Sequence, residues 1–150
     1  MSKETIRFAL AVNHAGDFQE KQFGDADKYI IYEWKNDELT YVKEEINVYK
    51  SIDEELEHGS HRKGRTILNF LKSMDVNVLL SRQFGKNIQL VNNHFIPVII
   101  YTETTDEVIP VIEKHIKWIE DEFNNQPEEY RLFVLENGAL KISIKSSGFY

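Results

Sequence analysis

Cationic and imidazole side chains are concentrated in one short stretch of the chain, EHGSHRKGR, at residues 57–65. It contains two imidazoles and three cations: His58, His61, Arg62, Lys63 and Arg65. An apolar pattern with helical spacing follows directly, so the stretch falls at the predicted N-terminus of a helix. That end carries the positive pole of the helix dipole, and cations there are unfavourable unless an anion or solvent compensates them.

Two further cations, Arg82 and Lys86, follow the next predicted strand and are expected at the same edge of the sheet. The sequence therefore predicts a compact anion site made of His58, His61, Arg62, Lys63, Arg65, Arg82 and Lys86. Such a site would suit an anionic cofactor or a phosphate-bearing ligand. The alternative is that Arg62, Lys63 and Arg65 only neutralise the acidic run IDEELE before them, in surface pairs worth ~0–1 kcal/mol each.

The same histidines also raise the question of a metal site. His58 and His61 are three residues apart, and imidazole binds iron, zinc and nickel. His14, in the loop after the first predicted strand, would supply a third ligand at the same end of the sheet. The alternative is that all three are solvent-facing loop residues. Because the chain has no cysteine, thiolate metal sites are excluded.

Composition narrows the class of protein. The formal net charge of −7 and a pI near 5.3 argue against a nucleic-acid partner. The longest apolar runs are far shorter than the ~18 residues that a membrane span needs, and the N-terminus lacks a cleavage pattern, which predicts a cytoplasmic protein. The sequence shows no phosphate-binding glycine-lysine loop, no serine-centred elbow and no carboxylate in the first predicted strand. We therefore expect a binding protein and not an enzyme.

Hydrophobic periodicity supplies the elements that would position these residues. Period-2 runs predict strands, and i, i+3, i+4 spacing predicts helices. The predicted strands cover 5–13, 28–34, 39–47, 76–81 and 95–102, and the predicted helices start near 62–64, at 85 and at 104. The last of these runs to residue 126, with a capping box at Thr104 and Glu107. Asn137-Gly138 then predicts a C-terminal β-hairpin within about 130–146.

This order predicts one α/β domain with a central mixed sheet, an antiparallel meander followed by β-α-β-α-β, flanked by helices. The C-terminal hairpin is expected to extend or cap the sheet. Because an unpaired strand edge invites a partner strand, the hairpin also suggests a homodimer.

Three stretches together resemble the dinitrogenase iron-molybdenum cofactor biosynthesis family. They are FGDADKYIIYEW, HGSHRKGRTILNFLKSMDVNVLLSRQFGKNI and FIPVIIYT, in the family's order within residues 5–124. The resemblance implies a ribonuclease H-like domain without nuclease activity over 1–127, with 128–150 as a hairpin extension of it. The chain departs from the family at Ser81-Arg82, where many members have a glycine pair.

The resemblance also implies a function: a carrier or chaperone for an iron–molybdenum cofactor or its iron–sulfur precursor. The partner would then be an anionic metallocofactor. The alternative is a module of the same fold that binds a small anion or another protein and holds no metallocofactor. Both alternatives use the same cations.

Overall fold

A computed structural model describes residues 5–52 and 62–143, and within these ranges the chain forms seven strands and four helices. The strands are β1 (Ile6–Val12), β2 (Lys28–Lys35), β3 (Glu38–Ile46), β4 (Val76–Ser81), β5 (Ile96–Ile100), β6 (Phe133–Glu136) and β7 (Ala139–Ile142). The helices are α1 (Arg62–Ser73), α2 (Ile88–Val91), α3 (Thr105–Lys114) and α4 (Ile116–Asn125). Single 3₁₀ turns lie at Phe23–Asp25 and Gly85–Asn87.

All seven strands join one sheet in the order β3-β2-β1-β4-β5-β6-β7. The β1-β2 and β2-β3 pairs are antiparallel, whereas β1, β4, β5 and β6 run parallel to one another. The predicted α/β domain with a meander followed by parallel strands is confirmed. The carboxyl ends of the parallel strands therefore lie at one edge, the position at which open α/β sheets bind ligands.

Alternating side chains of β1 fill two separate cores, one on each face of the sheet. Phe8 and Leu10 enter the core that Ile112 of α3 and Ile119 of α4 complete. Ala9 and its neighbours on the other face pack with the apolar residues of α1 and α2. Because both faces are covered, the central strands are almost continuously apolar.

One predicted helix, residues 104–126, is two helices in the structure, with a break at His115 (φ −110°, ψ 19°). The predicted capping box is present, because Thr104 Oγ1 accepts from the Glu107 N–H at 3.2 Å and the Glu107 carboxylate accepts from the Thr104 N–H at 2.9 Å. Pro110 lies inside α3, five residues before the break, so the proline does not end the helix.

The C-terminal hairpin extends the sheet, as one of the two predicted arrangements requires. Asn137 and Gly138 both have positive φ and form the two-residue turn. Glu103 links the turn of the hairpin to the segment before α3. Its buried carboxylate accepts a hydrogen bond of 2.9 Å from the Gly138 N–H. Burial of Glu103 opposes its ionisation, but hydrogen bonds from backbone N–H groups and Thr102 outweigh burial and hold the pKa of Glu103 below its ordinary value.

Among the described residues no helix is both long and apolar enough to span a bilayer.

Candidate functional site

A small cleft lies beside the N-terminus of α1, at the carboxyl-end edge of the parallel strands. We call it the basic cleft, and it encloses about 200 Å³. Within the part of the chain that the structure describes, three segments form it: the loop after β1, the first turn of α1 and the 3₁₀ turn after β4. The residues that line it are Gln22, Gly24, Asp25, Lys63, Gly64, Lys86 and Asn87.

Two predicted site residues, Lys63 and Lys86, meet in the basic cleft. The Lys63 ammonium is paired with the Asp25 carboxylate, and its side chain is only 13% exposed, whereas Lys86 is exposed to solvent. Counting these side chains alone, two positive charges face one negative charge. The positive end of the α1 dipole adds to that balance, so the cleft favours an anion.

A buried side chain that the sequence analysis did not single out, Asn47, holds one wall of the basic cleft in place. Its amide donates to the carbonyls of Gly24 and Ala26 at 3.0 and 2.9 Å. Beside it, the Tyr29 hydroxyl donates to the Phe23 carbonyl at 2.7 Å. The loop over residues 23–26 is therefore fixed by side chains from β2 and from the residue that follows β3. The position of Asn47, a polar residue directly after an alternating strand, was the available sequence signal.

Two glycines make the basic cleft narrow. A Cβ atom on Gly64 would lie 3.1 Å from the Asn87 side chain, and one on Gly85 would lie 2.5 Å from Gln22 Nε2. Gly85 also has φ +62°, a conformation that favours glycine. A Cβ atom on Gly64 would press against Asn87 across the basic cleft, whereas one on Gly85 would displace the flexible end of the Gln22 side chain.

The structure places Arg82 outside the basic cleft. Its guanidinium donates to the backbone carbonyls of Tyr101 and Glu103, and it lies 5.8 Å from the centroid of the Phe18 ring. It lines a separate depression of about 430 Å³ at the ends of β4 and β5. Arg82 therefore ties the segments after β4 and β5 together, through one hydrogen bond from each terminal nitrogen of its guanidinium.

The other predicted cations are also dispersed. Arg62 is the exposed first residue of α1, and Arg65 lines a different groove, beside Leu68 and Leu90. Residues two apart on a helix point to different sides, which separates Arg65 from Lys63. Of the seven predicted cofactor-binding residues, His58 and His61 lie outside the described residues.

The predicted metal ligand His14 is exposed, in the loop after β1. Its backbone N–H donates to Asp27 at 3.1 Å, and its Nε2 lies 3.9 Å from Asp27 Oδ1. A hydrogen bond from Lys50 outweighs the effect of burial and, with the His14 N–H, holds the pKa of Asp27 below its ordinary value. Within residues 5–52 and 62–143, no group of three His, Asp or Glu side chains is arranged to hold a metal ion. The site of His14, His58 and His61 stays a prediction.

Comparison with known proteins identifies the chain at the level of its family. A search among curated proteins finds no match. The sequence model for the dinitrogenase iron-molybdenum cofactor family, by contrast, matches residues 4–118. That range contains every residue of the basic cleft and ends before β6 and β7. The chain therefore belongs to the dinitrogenase iron-molybdenum cofactor family.

Proposed function

We propose that this protein is a non-catalytic carrier of an iron–molybdenum cofactor or of its iron–sulfur precursor. Family membership supports the class of cargo. The observation that carries the proposal is the meeting of Lys63 and Lys86 in one cleft at the N-terminus of α1. An anionic cargo would meet the Lys86 ammonium, the helix dipole and the Lys63 ammonium, the last of which it would share with Asp25.

The size of the basic cleft supports a carrier role. Its volume of about 200 Å³ is below the roughly 300–1,000 Å³ of pockets that enclose drug-sized ligands. A metallocofactor would therefore contact the cleft with one side and remain exposed on the other. Exposure of that kind suits a protein that must pass its cargo to another protein.

We propose no reaction for the chain. Among the described residues that line the basic cleft, the one carboxylate, Asp25, is paired with Lys63 and is not poised as a free base. The other described lining groups are amides, glycines and a second ammonium group, which bind and orient anions. A ribonuclease H-like topology, implied by the family resemblance, and a cytoplasmic location, expected from the sequence, belong to this proposal.

Anaerobic binding of isolated iron–molybdenum cofactor tests the proposal. The cofactor is mixed with the full chain, and co-elution on gel filtration is quantified by iron and molybdenum analysis. The double variant Lys63→Gln/Lys86→Gln removes both ammonium groups of the cleft. Charge-assisted hydrogen bonds are worth about 1.5–3 kcal/mol each, and solvent screens Lys86, so we expect affinity to fall by about 10- to 100-fold at low ionic strength.

The matched control is Lys72→Gln/Lys114→Gln, which changes the net charge by the same amount at two exposed positions away from the cleft. It should bind the cofactor as the wild type does. Equal losses in both double variants would show that binding follows net charge alone and would contradict a site at the basic cleft. Absence of cofactor binding by the wild type would contradict the carrier role.

A second candidate function is a small-anion-binding or protein-interaction module without a metallocofactor. The volume of the basic cleft supports it, because about 200 Å³ is large enough for a phosphate-sized anion. Inorganic phosphate would then raise the melting temperature of the wild type, and Lys63→Gln/Lys86→Gln would abolish the rise. That result, together with no cofactor binding, would replace the first function by the second.

We also propose that the chain forms a homodimer through its C-terminal hairpin. β7 is the outermost strand of the described sheet on that side, and edge strands readily pair with a second copy. Light scattering at several concentrations should give twice the chain mass of 17.7 kDa. A mass of one chain at all concentrations would contradict the dimer.

A further inference from the structure

A second groove lies on α1, further along the helix than the basic cleft. We call it the α1–α2 groove, and it encloses about 130 Å³ between α1 and the segment 85–94. Its lining residues are Arg65, Leu68, Asn69, Leu90 and His94. Arg65 is one of the predicted cofactor-binding cations, but in the structure it lines this groove.

The groove has an apolar floor and a polar rim. Leu68 is 5% exposed and Leu90 is half-buried. On the rim, Arg65, Asn69 and His94 are all exposed. Within residues 5–52 and 62–143, none of these three side chains forms a hydrogen bond or an ion pair. Each of them can donate a hydrogen bond, so the rim is suited to an acceptor that carries negative charge.

We propose that the α1–α2 groove binds the C-terminal residue of a partner protein chain. The aliphatic side chain of that residue enters the groove between Leu68 and Leu90, and its α-carboxylate meets Arg65, Asn69 and His94. The size agrees with one side chain, because a cavity of about 150 Å³ accepts a molecule as large as benzene.

Geometry favours a chain terminus over an internal acidic residue. In an extended segment, successive side chains point to opposite sides, so an internal Asp or Glu next to a leucine points away from the groove that the leucine fills. A terminal residue carries its carboxylate on the same carbon atom as its side chain. Both groups therefore reach one small groove, whose described rim carries the cation Arg65, two further donors and no carboxylate, on a chain of net charge −7.

The groove is independent of the basic cleft. Lys63 and Arg65 lie on different sides of α1 and line different depressions. A partner terminus seated in the groove would leave the basic cleft unobstructed at its Lys63 and Lys86 side. The inference therefore holds whether or not the chain carries a metallocofactor.

A titration of the ¹⁵N-labelled full chain, followed by NMR, tests the proposal. The probe is the peptide acetyl-Gly-Gly-Leu with a free carboxylate, and the comparison probe is the same peptide with a C-terminal amide. We expect shifts of the Asn69 side-chain amide and of the Leu90 backbone amide with the first peptide. The amidated peptide should bind at least ~10-fold more weakly, because it lacks the charge that the rim recognises.

Arg65→Gln should lower the affinity for the free-carboxylate peptide by about 10-fold. Lys72 is also exposed on α1, and the control Lys72→Gln should leave that affinity unchanged. Equal binding of both peptides, or of wild type and Arg65→Gln, would overturn the proposal. Shifts confined to the basic cleft would overturn it as well. Acetyl-leucine supplies the last arm: it carries the same side chain and α-carboxylate as the terminal residue, so it should bind with an affinity similar to that of the peptide, and its failure to bind would overturn the assignment of these two groups as the contacts.

Discussion

Replacing Asn47 by alanine should loosen the wall of the basic cleft and destabilise the whole protein. Asn47 is 5% exposed, and its amide is a shared donor for the carbonyls of Gly24 and Ala26, more than twenty residues earlier in the chain. Alanine would remove both hydrogen bonds and leave two buried acceptors without that donor. The loop that carries Asp25 would lose its main side-chain support.

The expected loss in free energy of unfolding follows from those two acceptors. A buried polar group left without its partner costs about 1–3 kcal/mol, and removal of the amide itself relieves part of that cost. We therefore expect Asn47→Ala to lower the free energy of unfolding by about 2–4 kcal/mol. For a chain of this length each kcal/mol corresponds to about 2–4 °C, so the melting temperature should fall by roughly 5–15 °C.

Urea unfolding followed by circular dichroism measures this difference, with thermal melting as a second readout. Asn47→Asp is a near-isosteric test, because its carboxylate would face the same carbonyls as an acceptor and should be at least as unstable. The control Asn93→Ala lies at an exposed turn position and should stay within about 0.5 kcal/mol of wild type. A loss below that value for Asn47→Ala would refute the role of this side chain as the support of the cleft wall.

Further predictions concern three other residues that hold the fold in place, Tyr29, Gly85 and Glu103. Tyr29→Phe should cost about 1–2 kcal/mol in urea unfolding, because the carbonyl of Phe23 loses its buried donor. Gly85→Ala should displace Gln22 and cost about 1–3 kcal/mol, and an unchanged stability would mean that the chain tolerates the added Cβ atom. Glu103 has a lowered pKa, so its ionised form stabilises the fold above its unfolded pKa, and that contribution disappears as the pH falls through the folded value. The difference in free energy of unfolding between wild type and Glu103→Gln should therefore be largest at neutral pH and become smaller as the solution is acidified. A difference that stays constant with pH would contradict a stabilising role for the ionised carboxylate.

Much of the sheet could be predicted from sequence because its signals are local. The alternation of β1, the apolar run of β4 and the Asn137-Gly138 turn each depend on neighbouring residues only. The break between α3 and α4 was missed, because the apolar period continues through His115 without a glycine. Pro110 is a helix-breaking residue in this stretch, but it lies five residues before the break.

The candidate site was predicted only in part, for a different reason. The direction of the strands predicts that Lys63 and Lys86 lie at the same edge of the sheet. The side to which each cation points depends on the rotation of α1 about its axis and on partners that are distant in the sequence. Arg82 donates hydrogen bonds to the carbonyls of residues 101 and 103, which follow β5. The sequence around Arg82 does not encode this contact between the segments after β4 and β5. Asn47 acts on a loop over twenty residues away, so only the folded chain identifies its role.

Native mass spectrometry with metal analysis tests the central claim most directly, on protein purified without oxygen from its own host. If the basic cleft holds the cofactor, part of the wild-type population should carry one added mass containing iron, with or without molybdenum. Lys63→Gln/Lys86→Gln, expressed in the same host, should have lost most of that mass, and Lys72→Gln/Lys114→Gln should retain it. Identical metal content in the wild type and the cleft variant would contradict the assignment of the basic cleft as the site that holds the cofactor.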